Sequence, residues 1–236
     1  MLELTAPRQA RSTMDVAERW LLLCAALHIP SAAIEINGQP IDHRPPGALL
    51  GDRTTLRIEA PTASLHFGPV AKSNISVARA RFASVDEADC ARLMVAWGPM
   101  ITGRLFVPEY DDWQNAADPL LFKSAGKDIA ELPMRSNGLP FPLDQMIVDT
   151  SHNPGRRILR NGFIEALGHR MWLGAEFFRR VPGADRAAIL AAEWLRPVQQ
   201  PDGVVEITAS DAPFHDDSSA QLQERLRSLL FPMSAG

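Results

Sequence analysis

Apolar residues recur at the spacing of an amphipathic helix in three uninterrupted parts of the chain. This spacing predicts helices over 14–28, 185–195 and 217–230. Ser12 or Thr13 can cap the first of these helices, and Asp217 or Ser218 can cap the last.

A capping box predicts a further helix near the middle of the chain. Ser84 is followed three residues later by Glu87, so the serine oxygen can accept from the Glu87 backbone while the glutamate reaches back to that of Ser84. The apolar residues that would share one face of this helix are Cys90, Leu93, Met94 and Trp97. The Gly98-Pro99 pair ends it.

Alternation of apolar and polar residues, or a short β-rich run, predicts the strands. They are expected over 32–36, 54–59, 64–67, 74–82, 145–149 and 204–208. The dipeptide Asn37-Gly38 suits a hairpin turn, with residues 39–43 as the partner of the strand before it. Short connections between successive strands favour antiparallel pairing. The expected fold class is therefore α+β, a mostly antiparallel β-sheet with helices packed on one face.

Two stretches lack any regular pattern. Residues 1–13 are polar, contain a proline and predict a flexible tail. Residues 14–236 are then expected to form a single α+β domain. Within that domain, recurrent prolines over 99–145 predict a long irregular excursion with one short helix near 118–124. Long irregular segments of this kind are often binding surfaces.

Charge and composition narrow the functional classes. The net charge of −4 argues against a nucleic-acid-binding surface, which is usually strongly basic, and it suits a basic protein partner. No stretch approaches the roughly 20 apolar residues that a membrane span requires, so no membrane association and a cytoplasmic location are expected. Cys24 and Cys90 lie in helical apolar patterns and are expected to be buried free thiols.

Familiar catalytic and metal-binding motifs are absent from the sequence. There is no CxxC pair, HExxH, P-loop, GxSxG elbow or GxGxxG opening a helix. Glu165 and His169 would share a helical face and could hold a metal, although Gly162 and Gly168 argue against a regular helix there. The alternative for His169 is a core histidine that is satisfied by a carbonyl or carboxylate.

Two clusters are candidate partner-binding sites. The first is Glu109-Tyr110-Asp111-Asp112-Trp113, where aromatic side chains flanked by acids suit a contact with a basic partner. Its alternative is a solvated acidic loop whose Trp113 packs inward. The second is Asp211, His215 and Asp216, which together with Asp217 could instead form a histidine–carboxylate acid/base site. The favoured interpretation of these acids is a turn followed by a helix N-cap.

The C-terminal third resembles the Immunity protein 52 family of bacterial polymorphic-toxin and type VI secretion systems. The resemblance covers roughly residues 145–232 and consists of apolar and turn patterns. They are the aromatic segment Gly162–Trp172, then Trp194-Leu195-Arg196, Val204–Thr208, Pro213 and the closing Leu230-Phe231-Pro232. No binding residue of the family can be matched to a position in this chain.

This resemblance implies an immunity protein that binds a cognate nuclease toxin and occludes its active site. Such a protein requires no catalysis, cofactor or metal. The alternatives are a metal-assisted hydrolase using Glu165, His169 and His215 with an acid such as Asp211, or an adaptor protein of a secretion apparatus. Self-association cannot be deduced from the sequence.

Overall fold

A ten-stranded antiparallel sheet organises the computed structural model, which describes residues 1–41, 45–83, 86, 91, 95, 98–200 and 202–232. In chain order its strands are β1 (Leu2–Pro7), β2 (Glu35–Ile36), β3 (Gln39–Pro40), β4 (Leu56–Ala60), β5 (Ala63–Val70), β6 (Ile75–Phe82), β7 (Thr102–Leu105), β12 (Arg170–Leu173), β13 (Val198–Gln199) and β14 (Val205–Thr208). Their order across the sheet is β13-β14-β12-β7-β1-β6-β5-β4-β2-β3. Two separate hairpins pair β8 (Met134–Ser136) with β9 (Met146–Val148), and β10 (Ile158–Arg160) with β11 (Phe163–Glu165).

Strand β1 lies near the centre of the sheet, between β6 and β7. The prediction of a flexible tail over residues 1–13 is therefore wrong. Leu2 and Leu4 point into the apolar core on one face, while the alternating Glu3 and Thr5 are buried on the other. There the Thr5 and Thr102 hydroxyl oxygens lie 2.7 Å apart, so even the polar members of this strand have partners.

Seven α-helices accompany the sheet within the described residues. They are α1 (Thr13–Ala26), α2 (Pro46–Leu50), α3 (Pro108–Asn115), α4 (Pro119–Ser124), α5 (Ala175–Arg180), α6 (Arg186–Ala191) and α7 (Ala220–Leu230). Helix α1 confirms the prediction over 14–28, and its N-terminus is a capping box between Ser12 and Asp15. The expected cap of the closing helix is corrected, because Asp216 caps a 3₁₀ turn over Asp217–Ser219 that precedes α7.

The sheet separates two apolar cores. Trp20 of α1 and Leu50 of α2 belong to the core on the first face, together with Trp172 of β12. The neighbouring residues of Trp172 point the other way, into a second core that includes residues of α5, α6 and α7. The α+β class and the antiparallel sheet are thus confirmed, while the helices, expected on one face, occupy both.

The predicted irregular excursion over 99–145 contains more regular structure than the prolines indicate. It holds β7, α3, α4 and β8, of which only α4 was predicted. Prolines at 108 and 119 open α3 and α4, because a missing N–H costs nothing in the first turn of a helix. Strand β9 confirms the strand expected over 145–149.

Some predictions fall outside the described residues. They concern the capping box at Ser84 and Glu87, the apolar face with Cys90, Leu93, Met94 and Trp97, and the end of the hairpin at 42–43. Cys24 is a buried free thiol, as expected. Among the described helices, none combines the length and apolar character needed to cross a lipid bilayer.

Candidate functional site

A groove of about 410 Å³ brings together members of both clusters that were predicted to bind a partner. Glu109, Tyr110 and Trp113 come from α3, while His215 and Asp216 come from the turn that leads into α7. The remaining lining residues are Val107, Gln114, Lys127 and Asp217. The lining thus carries three carboxylates and one lysine, so the groove is acidic and partly aromatic.

Contacts with the rest of the protein hold the groove in place. The Gln223 side chain of α7 donates a hydrogen bond of 2.9 Å to the Tyr110 hydroxyl, which joins the two walls. Trp113 packs on Phe122 of α4 at 5.1 Å between ring centroids, and the Lys127 ammonium lies 4.5 Å from the Trp113 ring. Trp113 therefore packs inward against Phe122, as one alternative expected, and it also forms part of the groove wall.

His215 and Asp216 form an exposed pair in the groove lining. His215 Nε2 lies 3.3 Å from an Asp216 carboxylate oxygen, and its Nδ1 lies 2.9 Å from the Pro213 carbonyl. Asp216 also accepts hydrogen bonds from the side chain and backbone of Ser218, and these bonds lower the pKa of its carboxyl group. The favoured interpretation, a turn with an N-cap, is thus confirmed for Asp216, which also lines the groove.

Asp111 does not belong to the groove, although Tyr110 and Trp113 of the same helix do. Its side chain is only 5% exposed and accepts a hydrogen bond of 2.7 Å from buried Arg104 of β7. Arg104 also contacts Glu3 of β1 at 2.8 Å, and Arg157 lies within 3.7 Å of both acids. The prediction that Asp111 contacts a partner is therefore wrong, because helical spacing turns it towards the sheet.

The other candidate residues lie apart from the groove lining. Asp112 is exposed on α3, and Asp211 is exposed and paired with Arg196 at 2.7 Å. Glu165 is fully buried and accepts a hydrogen bond from Arg160. Across the described part of the chain, no three His, Cys, Asp or Glu side chains are placed to hold one metal ion, so Glu165, His169 and His215 form no such group.

The loop between β8 and β9, residues 137–145, exposes a row of large apolar side chains that were not among the predicted site residues. Leu139, Phe141 and Leu143 project from this apolar loop, and Phe141 is 88% exposed. Met134 and Met146 on the flanking strands are exposed as well. The segment Leu139-Pro140-Phe141-Pro142-Leu143 could have indicated this exposed loop, because its apolar residues alternate with prolines, which are disfavoured inside a sheet.

Negative charge is concentrated around the groove and the apolar loop. Residues 109–150, here called the acidic segment, contain eight acidic and three basic residues. The chain as a whole has 28 acidic and 24 basic residues, so the remainder has one more basic residue than acidic. The whole net negative charge of the protein therefore resides in the segment that forms α3, α4 and the β8–β9 hairpin.

A scan against protein-family models, a search of curated proteins and a search of solved structures each find no match to this chain.

Proposed function

We propose that this protein is a non-catalytic immunity protein that binds a basic nuclease toxin in the cytoplasm and occludes its active site. The proposal combines the resemblance of residues 145–232 to the Immunity protein 52 family with the surface chemistry of the acidic segment. A nuclease cleft that binds phosphates is basic, so an acidic surface is its electrostatic complement.

The observation that carries the proposal is the groove. Glu109 and Asp216, which are more than 100 positions apart in the sequence, line one acidic groove together with Tyr110 and Trp113. Tyrosine and tryptophan supply large contact areas at protein interfaces, and surrounding charges select the partner and speed its association. The hydrogen bond between Gln223 and Tyr110 fixes this surface before any partner binds, which lowers the entropic cost of binding.

Charge reversal on α3 tests this proposal. The protein is co-expressed with the toxin-like protein encoded by the neighbouring gene, and rescue of growth and co-purification are measured. The double substitution Glu109→Lys and Asp112→Lys is expected to abolish rescue and to weaken binding by about tenfold or more. Asp111 is left intact, because its charge is required inside the protein.

Glu18→Lys provides the matched control. Glu18 is also an exposed acidic residue on a helix, but α1 packs on the opposite face of the sheet. This substitution is expected to leave rescue unchanged. Absence of rescue and of a complex with the unaltered protein, when the toxin alone is shown to be active, would refute the proposed function for that pair.

A further inference from the structure

The apolar loop is ordered by its own hydrogen bonds although its side chains face solvent. The Asn137 side chain donates to the Leu143 carbonyl at 2.8 Å and accepts from the backbone N–H groups of Leu139 and Gln145 at 3.0 and 3.2 Å. The Leu143 N–H donates to the Pro140 carbonyl at 2.9 Å. The exposed apolar side chains are therefore presented in one preformed arrangement.

Exposure of this kind indicates a binding surface. A folded protein gains nothing from placing leucine and phenylalanine side chains in water, and contiguous exposed apolar groups commonly mark interaction sites. The apolar residues alternate with Pro140 and Pro142, which have no backbone N–H to add to another sheet. The loop is therefore a poor edge for another strand, and its exposed side chains are the groups best placed to contact a partner, as they would in an apolar cavity.

The acidic residues in and near the loop indicate which kind of partner would carry such a cavity. Asp144 lies within the loop, and the exposed Asp128 and Glu131 belong to the same acidic segment. A second copy of this chain would bring two acidic segments together, and the anionic surface of a membrane would repel them. A protein with a basic surface around an apolar cavity can bind the acidic residues and the apolar side chains of this loop together.

We propose that Leu139, Phe141 and Leu143 insert into an apolar cavity on a basic partner protein and anchor it. This inference rests on the proposed function, since the partner is the same toxin. The acidic groove then governs how fast the partner associates, whereas the apolar loop governs how slowly it dissociates. Buried aromatic and aliphatic groups at the centre of an interface act mainly on the dissociation rate.

The test compares dissociation rates from an immobilised, catalytically inactive form of the neighbouring toxin. The triple substitution Leu139→Ser, Phe141→Ser and Leu143→Ser is expected to speed dissociation by about tenfold or more, with the association rate nearly unchanged. Its melting temperature should match that of the unaltered protein, because all three side chains are exposed. Phe141→Ser alone provides a second variant, with a smaller effect in the same direction.

Leu22→Ser is the control, because Leu22 is 71% exposed on α1 and lies outside the acidic segment. Equal dissociation of the triple variant and this control would overturn the anchor while leaving the proposed function intact. A dimer of the unaltered protein that the triple substitution dissolves would also overturn it, as would loop-dependent binding to neutral phosphatidylcholine vesicles. Failure of the unaltered protein to bind the toxin would instead refute the proposed function, and the anchor with it.

Discussion

Two neighbouring aspartates on α3 have opposite environments. Asp111 is buried against Arg104, whereas Asp112 is exposed to solvent. Removal of one member of a buried ion pair leaves the other charge uncompensated, so Asp111→Asn is expected to lower the free energy of unfolding by about 3–5 kcal/mol. Asp112→Asn should change it by less than about 0.5 kcal/mol. Urea unfolding followed by tryptophan fluorescence measures both, and equal losses would contradict the assignment of Asp111 to the interior.

Glu3 gives the stability of the protein a defined dependence on pH. Burial would raise the pKa of its carboxyl group, but the cross-strand residues Arg104 and Arg79 more than offset this effect and lower the pKa from its usual 4.5 to about 2. Because the folded pKa lies below the unfolded one, the stabilisation is fully present above about pH 4.5 and is lost as the pH falls towards about 2.

Glu3→Gln should therefore lower the free energy of unfolding by about 3 kcal/mol at neutral pH. The difference from the unaltered protein should narrow as the pH falls from 4.5 towards about 2. Urea unfolding at pH values above and within this window measures the difference. Glu35→Gln, at an exposed position on β2, serves as the control and should have little effect at any pH. A loss for Glu3→Gln that stays constant with pH would contradict the role of the carboxylate charge.

At the scale of elements, a helix or strand is predicted correctly where the local sequence pattern determines it. The prediction fails where contacts with residues distant in the sequence determine the structure. Helix α1 has a periodic apolar face and a cap, and it was predicted almost to its ends. Strand β1 also alternates, but Glu3 resembles a solvent-exposed residue until β6 and β7 supply Arg79 and Arg104. For the site, both clusters were predicted separately, while their meeting in one groove follows only from the packing of α3 against α7.

The passage from β11 to β12 depends on close contact between two backbones. A Cβ atom added at Gly168 would lie 2.4 Å from the Leu105 carbonyl oxygen, and backbone cannot move aside. Gly168→Ala is therefore expected to lower the free energy of unfolding by about 1–3 kcal/mol. At Gly47 the nearest atom is the flexible methyl end of Met14, so Gly47→Ala should cost less. Comparison of thermal unfolding checks this order, and an equal or larger loss at Gly47 would contradict it.

At the scale of the whole molecule, charge is distributed unevenly along the chain. The acidic segment carries all of the net negative charge, and the remainder of the chain is close to neutral. The proposed basic partner would therefore be drawn towards α3 and the β8–β9 hairpin, which carry the acidic groove and the apolar loop. The hairpin is attached to this region by a hydrogen bond of 2.9 Å from the Val148 N–H of β9 to the Ala117 carbonyl, which lies between α3 and α4.

This arrangement predicts how salt affects binding. Screening shortens the reach of exposed charges, so a rise in ionic strength from about 0.05 to 0.5 M should slow association with the proposed toxin partner by about tenfold and leave dissociation nearly constant. Glu109→Lys with Asp112→Lys should flatten this dependence, whereas Glu18→Lys should preserve it, because Glu18 lies on the opposite face. Stopped-flow association across the salt series provides the measurement. A dependence that all of these proteins share would mean that overall charge, and not the acidic segment, attracts the partner.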